Sequence, residues 1–329
     1  MRSIVKSPVL LALGLMLFPA RALAQSPTCA SIQQAINALP VRGGEVVIPA
    51  GMYVCSTPIV IDRNNVVLRG AGAATVIRLA NGANAPVLIV GQTAPAPTAT
   101  RQSIRVSDLT IDGNRANQTC ECWNDCSPSC ASNPIRNNGI TIRRANDVTI
   151  ERVTIRNARS GGLVTERVCR RLAIRDLTSS GNQFDGVASY ETEDSTFSGL
   201  ELTGNLAAGL SLDLGFNHNI LSNIVIRDSG KVGIFMRYSI DNLFGLMQIQ
   251  NSGEHGIFLA QVETDATKPA AGNTFNGVVV KGSKRSGIRV NDPSCVNNSL
   301  VGSQLIVNAD GCVSESAPGL LKQSGNVCR

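Results

Sequence analysis

A glycine followed by an aliphatic residue returns at Gly139-Ile140, Gly162-Leu163, Gly186-Val187, Gly209-Leu210, Gly233-Ile234, Gly256-Ile257 and Gly287-Ile288, with a weaker copy at Gly311-Cys312. The intervals are 23, 24, 23, 24, 23, 31 and 24 residues. A fixed period of this size is the mark of a solenoid, in which each repeat buries its apolar face only against its neighbours. The single long interval holds Asp265-Ala266-Thr267-Lys268-Pro269-Ala270-Ala271-Gly272, which reads as a loop inserted into one coil. Inside the periods run short alternating apolar stretches, such as Ile140/Ile142, Val148/Ile150 and Val153/Ile155, or Leu210/Leu212, Ile220 and Ile224/Ile226. Alternation at period two means strands with one buried face, and Asn157, Asn182, Asn205 and Asn251 supply turns between them. About three strands per period make one turn of an all-β, right-handed parallel β-helix, the hand following the general rule for parallel crossovers. An amphipathic helical repeat does not fit runs so short, so rich in Val and Ile and so often broken by Gly.

The rest of the chain reads as fittings to one such domain, residues 25–329. Ser31 to Leu39 puts Ile32, Ala35, Ile36 and Leu39 on one helical face, the cap an open solenoid end requires. Residues 312–329, bracketed by Cys312 and Cys328, would cap the other end. Residues 1–24 have a basic start, an apolar stretch and Ala22-Leu23-Ala24, the parts of a cleaved secretory signal, so a secreted or periplasmic protein without a membrane span is expected. All ten cysteines follow that segment, which favours disulfides, with Cys29–Cys55 the first pair expected. Four of them, Cys120, Cys122, Cys126 and Cys130, crowd a 114–137 insertion around Trp123, in a spacing that suits disulfides better than zinc. The net charge of +6 is halved once Arg2, Lys6 and Arg21 of the signal are set aside. This excludes the strongly basic patch of a nucleic-acid binder but leaves a mild preference for acidic partners.

The stretch SIQQAINALPVRGGEVVIPAGMYVCSTPIVI, then NNVVLRGAG and then VSDLTIDGN at 106–114, resembles the opening of the pectin-lyase-like right-handed β-helix superfamily. That resemblance covers nearly the whole mature chain and implies the fold. The superfamily includes polysaccharide lyases, uronate C5-epimerases, glycoside hydrolases, tailspikes and adhesins, so the fold does not fix the function.

A β-helix has a packed interior, so chemistry must sit on its outer face. With each repeat glycine at position zero, positions one and three point inward and two and four outward. Position four gives Arg143, Glu166, Tyr190, Asp213 and Arg237, five reactive side chains in a row roughly 19 Å long at the spacing of adjacent strands. Position two places Phe235, Phe258 and Arg289 beside it. Three functions fit a polysaccharide partner met by a monomer. A lyase or C5-epimerase would use Arg143 and Arg237 on the uronate carboxylate, Tyr190 as base or acid if a guanidinium lowers its pKa, Asp213 to position Arg237 and His255 as a secondary proton carrier. Glu166, Phe235, Phe258 and Arg289 complete the expected substrate surface. A glycoside hydrolase would use Glu166 and Asp213, roughly 9.6 Å apart by coil spacing, with Asp185, Glu191 and Glu193 as further choices. A non-catalytic glycan-binding or structural solenoid is the third. His255-Gly256-Ile257 and Ser286-Gly287-Ile288-Arg289 resemble motifs of family 28 polygalacturonases, but the adjacent aspartate pair of that family is missing and Asp185 stands alone. No cofactor is required by these chemistries; Asp112 is the one position considered for calcium, without a calcium-loop spacing of carboxylates around it.

Overall fold

Each repeat glycine lies where the backbone of one coil rests on the next. In a computed structural model, which describes residues 28–121 and 135–329, a Cβ on Gly233 would sit 2.5 Å from the Gly256 carbonyl oxygen, and one on Gly256 would sit 2.6 Å from that of Gly287. Both would also strike core side chains, Ile249 and Val280. The glycine is therefore demanded by close approach, and it locks the register: Val187 pairs with Leu210, Leu210 with Ile234, Ile234 with Ile257 and Ile257 with Ile288, all in parallel. The last step departs from the expected frame. Ile288 pairs with Val313, so Cys312 rather than Gly311 takes the position-zero place.

The coils stack as the parallel β-helix expected. A second face runs through Arg101–Asp112, Ala145–Arg156, Ala173–Ser180, Thr196–Thr203, Ile220–Arg227 and Leu243–Gln250. The alternating residues read as core, Ile140, Ile142, Val148, Ile150, Val153 and Ile155, are at most 1% exposed. The capping helix spans Cys29–Ala38, beginning earlier than expected because Thr28 and Ser31 form a reciprocal capping box. Its Ile32 and Ile36 are buried on the first coil, and the Cys29–Cys55 disulfide pins it there. Cys312–Cys328 closes the other end. Disulfides persist in oxidising compartments, which agrees with an extracellular or periplasmic protein; no helix among the described residues is long and apolar enough to cross a membrane. Cys169 and Cys295 are buried free thiols, the first pushed up to about 12 by burial, so both are inert packing groups. The expected signal segment, Trp123, Cys122, Cys126 and Cys130 lie outside the described residues.

The turns carry a second register device. Asn219, Asn242, Asn273 and Asn298 stack as a buried ladder, each side chain accepting from the one before: Asn219 Nδ2 donates to Asn242 Oδ1 (3.1 Å), Asn242 Nδ2 to Asn273 Oδ1 (2.9 Å) and Asn273 Nδ2 to Asn298 Oδ1 (3.0 Å). The same oxygens accept the backbone N–H groups of the preceding coil's asparagine. Asn242→Ala strips this partner from the Asn219 N–H and from the Phe216 carbonyl. It is expected to cost about 3 kcal/mol in denaturant unfolding, since buried polar groups left unpaired lose their full solvation.

Candidate active site

Position five lies in the left-handed region in five successive coils: Arg144, Arg167, Glu191, Leu214 and Tyr238 all have φ between 45° and 64°. Such backbone is uncommon for non-glycine residues and turns the chain sharply. The position-four side chain just before it is thus held at the corner of the coil. The row predicted from the sequence is in register, with Arg143 paired to Glu166, Tyr190 to Asp213 and Asp213 to Arg237. Beside it the position-two row forms the floor of a cleft of about 750 Å³, made by Val164, Ala188 and Ser211 and ending at Phe235.

Two proton-active groups line the cleft from one coil, at chain positions on either side of the floor residue Ala188. Asp185 stands just before Gly186 and Tyr190 at position four. Burial raises the Asp185 carboxyl to about 6, against the opposing pull of the Ala208 N–H (2.9 Å) and of Lys231. Burial also raises the Tyr190 phenol, and the charges of Asp185 and Asp213 push it further the same way. The condition set for Tyr190, a guanidinium lowering its pKa, is not met, because desolvation and two carboxylates outweigh Arg136 and the Ser211 hydroxyl. Tyr190 is thereby a proton donor at neutral pH and Asp185 a carboxylate poised close to its own pKa. In the sequence Asp185 reads as a spare carboxylate and a lone counterpart of the family 28 aspartates, because it lies outside the outward positions two and four. Its signal was legible: an acid before the glycine, where neighbouring coils carry Gly161, Ala208 and Val232.

The remaining charges are organised around these two. Asp213, 4% exposed, grips Arg237 through three contacts, Nε to both carboxylate oxygens at 3.1 Å and Nη2 to Oδ2 at 2.6 Å. Arg237 also lies over the Phe235 ring, 5.6 Å from its centroid. Arg136 and Lys231 add cations to the lining. Arg143 does not reach the cleft: it is fully buried, its guanidinium donating to the carbonyls of Gln92, Ala94 and Pro95 and paired to Glu166 at 2.5 Å. A substrate carboxylate cannot displace so many fixed partners, so Arg143 is a brace and not a ligand for it. Glu166 lines the cleft but is tied to Arg143, and Asp213 to Arg237, which leaves neither of the carboxylates expected for hydrolysis without a cation. His255 is absent from the lining; 7% exposed, it packs on Phe258 with its Nδ1 unpartnered, and burial with Arg285 and Arg289 lowers its pKa. Phe258 and Arg289 continue the position-two row beyond the cleft, Arg289 donating to Ser314. Asp112 is spent on the Asn114 N–H and on Arg156 and Arg78.

With this geometry in view, known proteins resemble the chain as follows. A family model for rhamnogalacturonase A/epimerase, pectate lyase-like proteins matches residues 26–258. Mannuronan C5-epimerase AlgE5 of Azotobacter vinelandii is 29% identical over 236 residues, 68% of this chain but only 22% of that relative. Among solved structures, the A-module of mannuronan C5-epimerase AlgE4 from the same bacterium superposes with a TM-score of 0.65 at 20% identity, covering 91% of this chain and 90% of the module. The endo-xylogalacturonan hydrolase of Aspergillus tubingensis gives 0.63 at 11% identity, covering 91% and 88%. At such identities the structural likeness speaks for the fold alone.

The Asp213–Arg237 pair is structural as well as local to the cleft. Arg237→Ala leaves the buried Asp213 carboxylate with the adjacent Leu214 N–H as its remaining hydrogen bond. A stability loss of about 2 kcal/mol is expected in urea unfolding, reduced from the fully buried figure because Arg237 is partly solvated.

Proposed function

Because the chain belongs to the rhamnogalacturonase A/epimerase, pectate lyase-like family, we propose that it is a polysaccharide-modifying enzyme, acting outside the cytoplasm, that inverts C5 of uronate residues in an acidic polysaccharide. The observation that carries this reading is the pair Asp185 and Tyr190, lining one cleft on either side of the floor residue Ala188 in the chain. A chain lying along the coil axis over Val164, Ala188 and Ser211 presents one face of a sugar ring to each. Inversion needs a base on one face and an acid on the other.

Ionised Asp185 takes the C5 proton, and the electron pair moves into the uronate carboxylate as an enolate dianion. Cations lining the cleft, Lys231, Arg136 and the Arg237 held by Asp213, offset that charge. Protonated Tyr190 returns a proton to the opposite face of C5, and solvent resets both groups. A carboxyl with a pKa near 6 is a stronger base than an ordinary aspartate yet stays ionised at pH 7, which is the compromise general-base catalysis favours. The weakly acidic phenol suits an acceptor as basic as an enolate. Hydrolysis is less well served, since Glu166 and Asp213 are both neutralised by arginines. The relative's name and the mild positive balance of the chain make mannuronan the first substrate to try.

In deuterated buffer, mannuronan treated with the protein is expected to change its anomeric proton signals and to take up deuterium at C5, with no shortening of the chain. Growth of ultraviolet absorbance from unsaturated uronates would instead mean elimination by the same pair; new reducing ends without that absorbance would mean hydrolysis. Either replaces the inversion reading, and no change in mannuronan or galacturonan removes it. Asp185→Asn is expected to lower kcat by about a hundredfold or more. Because the base must be ionised, kcat/KM should hold above pH about 6 and fall about tenfold per unit below it.

A further inference from the structure

The cleft is closed at one end and open at the other. Its floor runs from Val164 through Ala188 and Ser211 to Phe235. One coil toward the N-terminus, the two outward residues Thr141 and Arg143 are both 0% exposed. A loop at 91–100 covers Arg143, and Asn138 donates to the Thr141 hydroxyl. Arg143 binds three of the loop's carbonyls, and the Gln92 side chain accepts the backbone N–H groups of Thr98 and Ala99, holding the loop in a compact fold. Gly91 sits so close to the Arg143 carbonyl that a Cβ there would collide with it. Arg136, from the 114–137 insertion, lines the cleft at the same end. Toward the C-terminus Phe235 and Phe258 are partly exposed and stack in an offset pair, centroids 5.8 Å apart and planes 9° from parallel, an aromatic shelf leading out of the cleft.

We propose that this cleft receives the end of a polysaccharide chain, with the terminal residues over Val164 to Ser211 and the following sugars leaving across Phe235 and Phe258. From Val164 to Phe235 is three strand spacings, about 14 Å, room for about three pyranose rings before the shelf. A chain threaded through its middle would have to pass through Arg143 and the 91–100 loop. The apolar faces of sugar rings stack on aromatic planes, so the shelf adds affinity for longer chains while the sealed end sets the register of the terminal residue against Asp185 and Tyr190. This inference rests on the uronate reading for its substrate but not for its geometry.

Binding stoichiometry tests it. A mannuronate oligomer and a tenfold longer mannuronan of the same composition are titrated with the protein by calorimetry. One protein per chain at both lengths is expected. Stoichiometry that rises with chain length overturns the terminal site and leaves the uronate reading intact. If mannuronan and galacturonan do not bind, the same comparison is made with a neutral glucan: one protein per chain there upholds the closed end and removes the uronate, and no binding to any of these polymers overturns both. Phe258→Ala should weaken the longer ligand severalfold more than a trimer; equal weakening of the two overturns the shelf and its direction.

Discussion

Everything in this protein depends on the contact of one coil's backbone with the next at the repeat glycine. The carbonyl of each position-zero residue accepts a hydrogen bond from the N–H at position one in the preceding coil, as from Ile234 to Gly256 and from Ile257 to Gly287. No side chain fits in that gap. A coil cannot slip by a residue without driving a Cβ into a carbonyl and turning its whole apolar set outward. The asparagine ladder fixes the same register from a different corner, satisfying backbone groups that a solenoid turn would otherwise bury unpaired. Because both devices repeat, side chains separated by 23 or 24 residues become neighbours at one strand spacing.

On that frame the cleft divides its charges into two kinds. Asp213 with Arg237 and Glu166 with Arg143 are paired and fixed, serving geometry. Among the described residues no cation forms an ion pair with Asp185 or Tyr190, and burial pushes both toward their protonated forms. A carboxyl raised to about 6 and a phenol raised above its ordinary range are complementary at neutral pH, one free to accept and the other to donate. The difference arises from desolvation by burial, the largest cause for both groups.

The same frame explains the cleft's polarity. A solenoid with bare outer faces offers an open trough, equivalent in both directions. Here a ten-residue loop is anchored on one buried arginine and removes it from the outward row. The strong ion pairing of Arg143 with Glu166 thus links the wall of the cleft to its lining.

The period and the alternation were enough to read the coils and the inward and outward sets, because each is a local pattern repeated until only one stacking satisfies it; the helical cap and the Cys29–Cys55 pair were legible from one amphipathic face and two cysteines near one end. The row Glu166, Tyr190, Asp213 and Arg237 was legible from the period. What only the tertiary structure decided is accessibility and proton affinity. Arg143 looks like its row-mates until a loop from fifty residues upstream covers it; Asp185 looks like a turn residue until the cleft strips its water; Tyr190 shifts opposite to its nearest guanidinium because burial and two carboxylates prevail. Periodicity fixes which residues are neighbours along the stack, but exposure and pKa depend on everything that surrounds a group in space, and that includes irregular loops whose positions no repeat encodes.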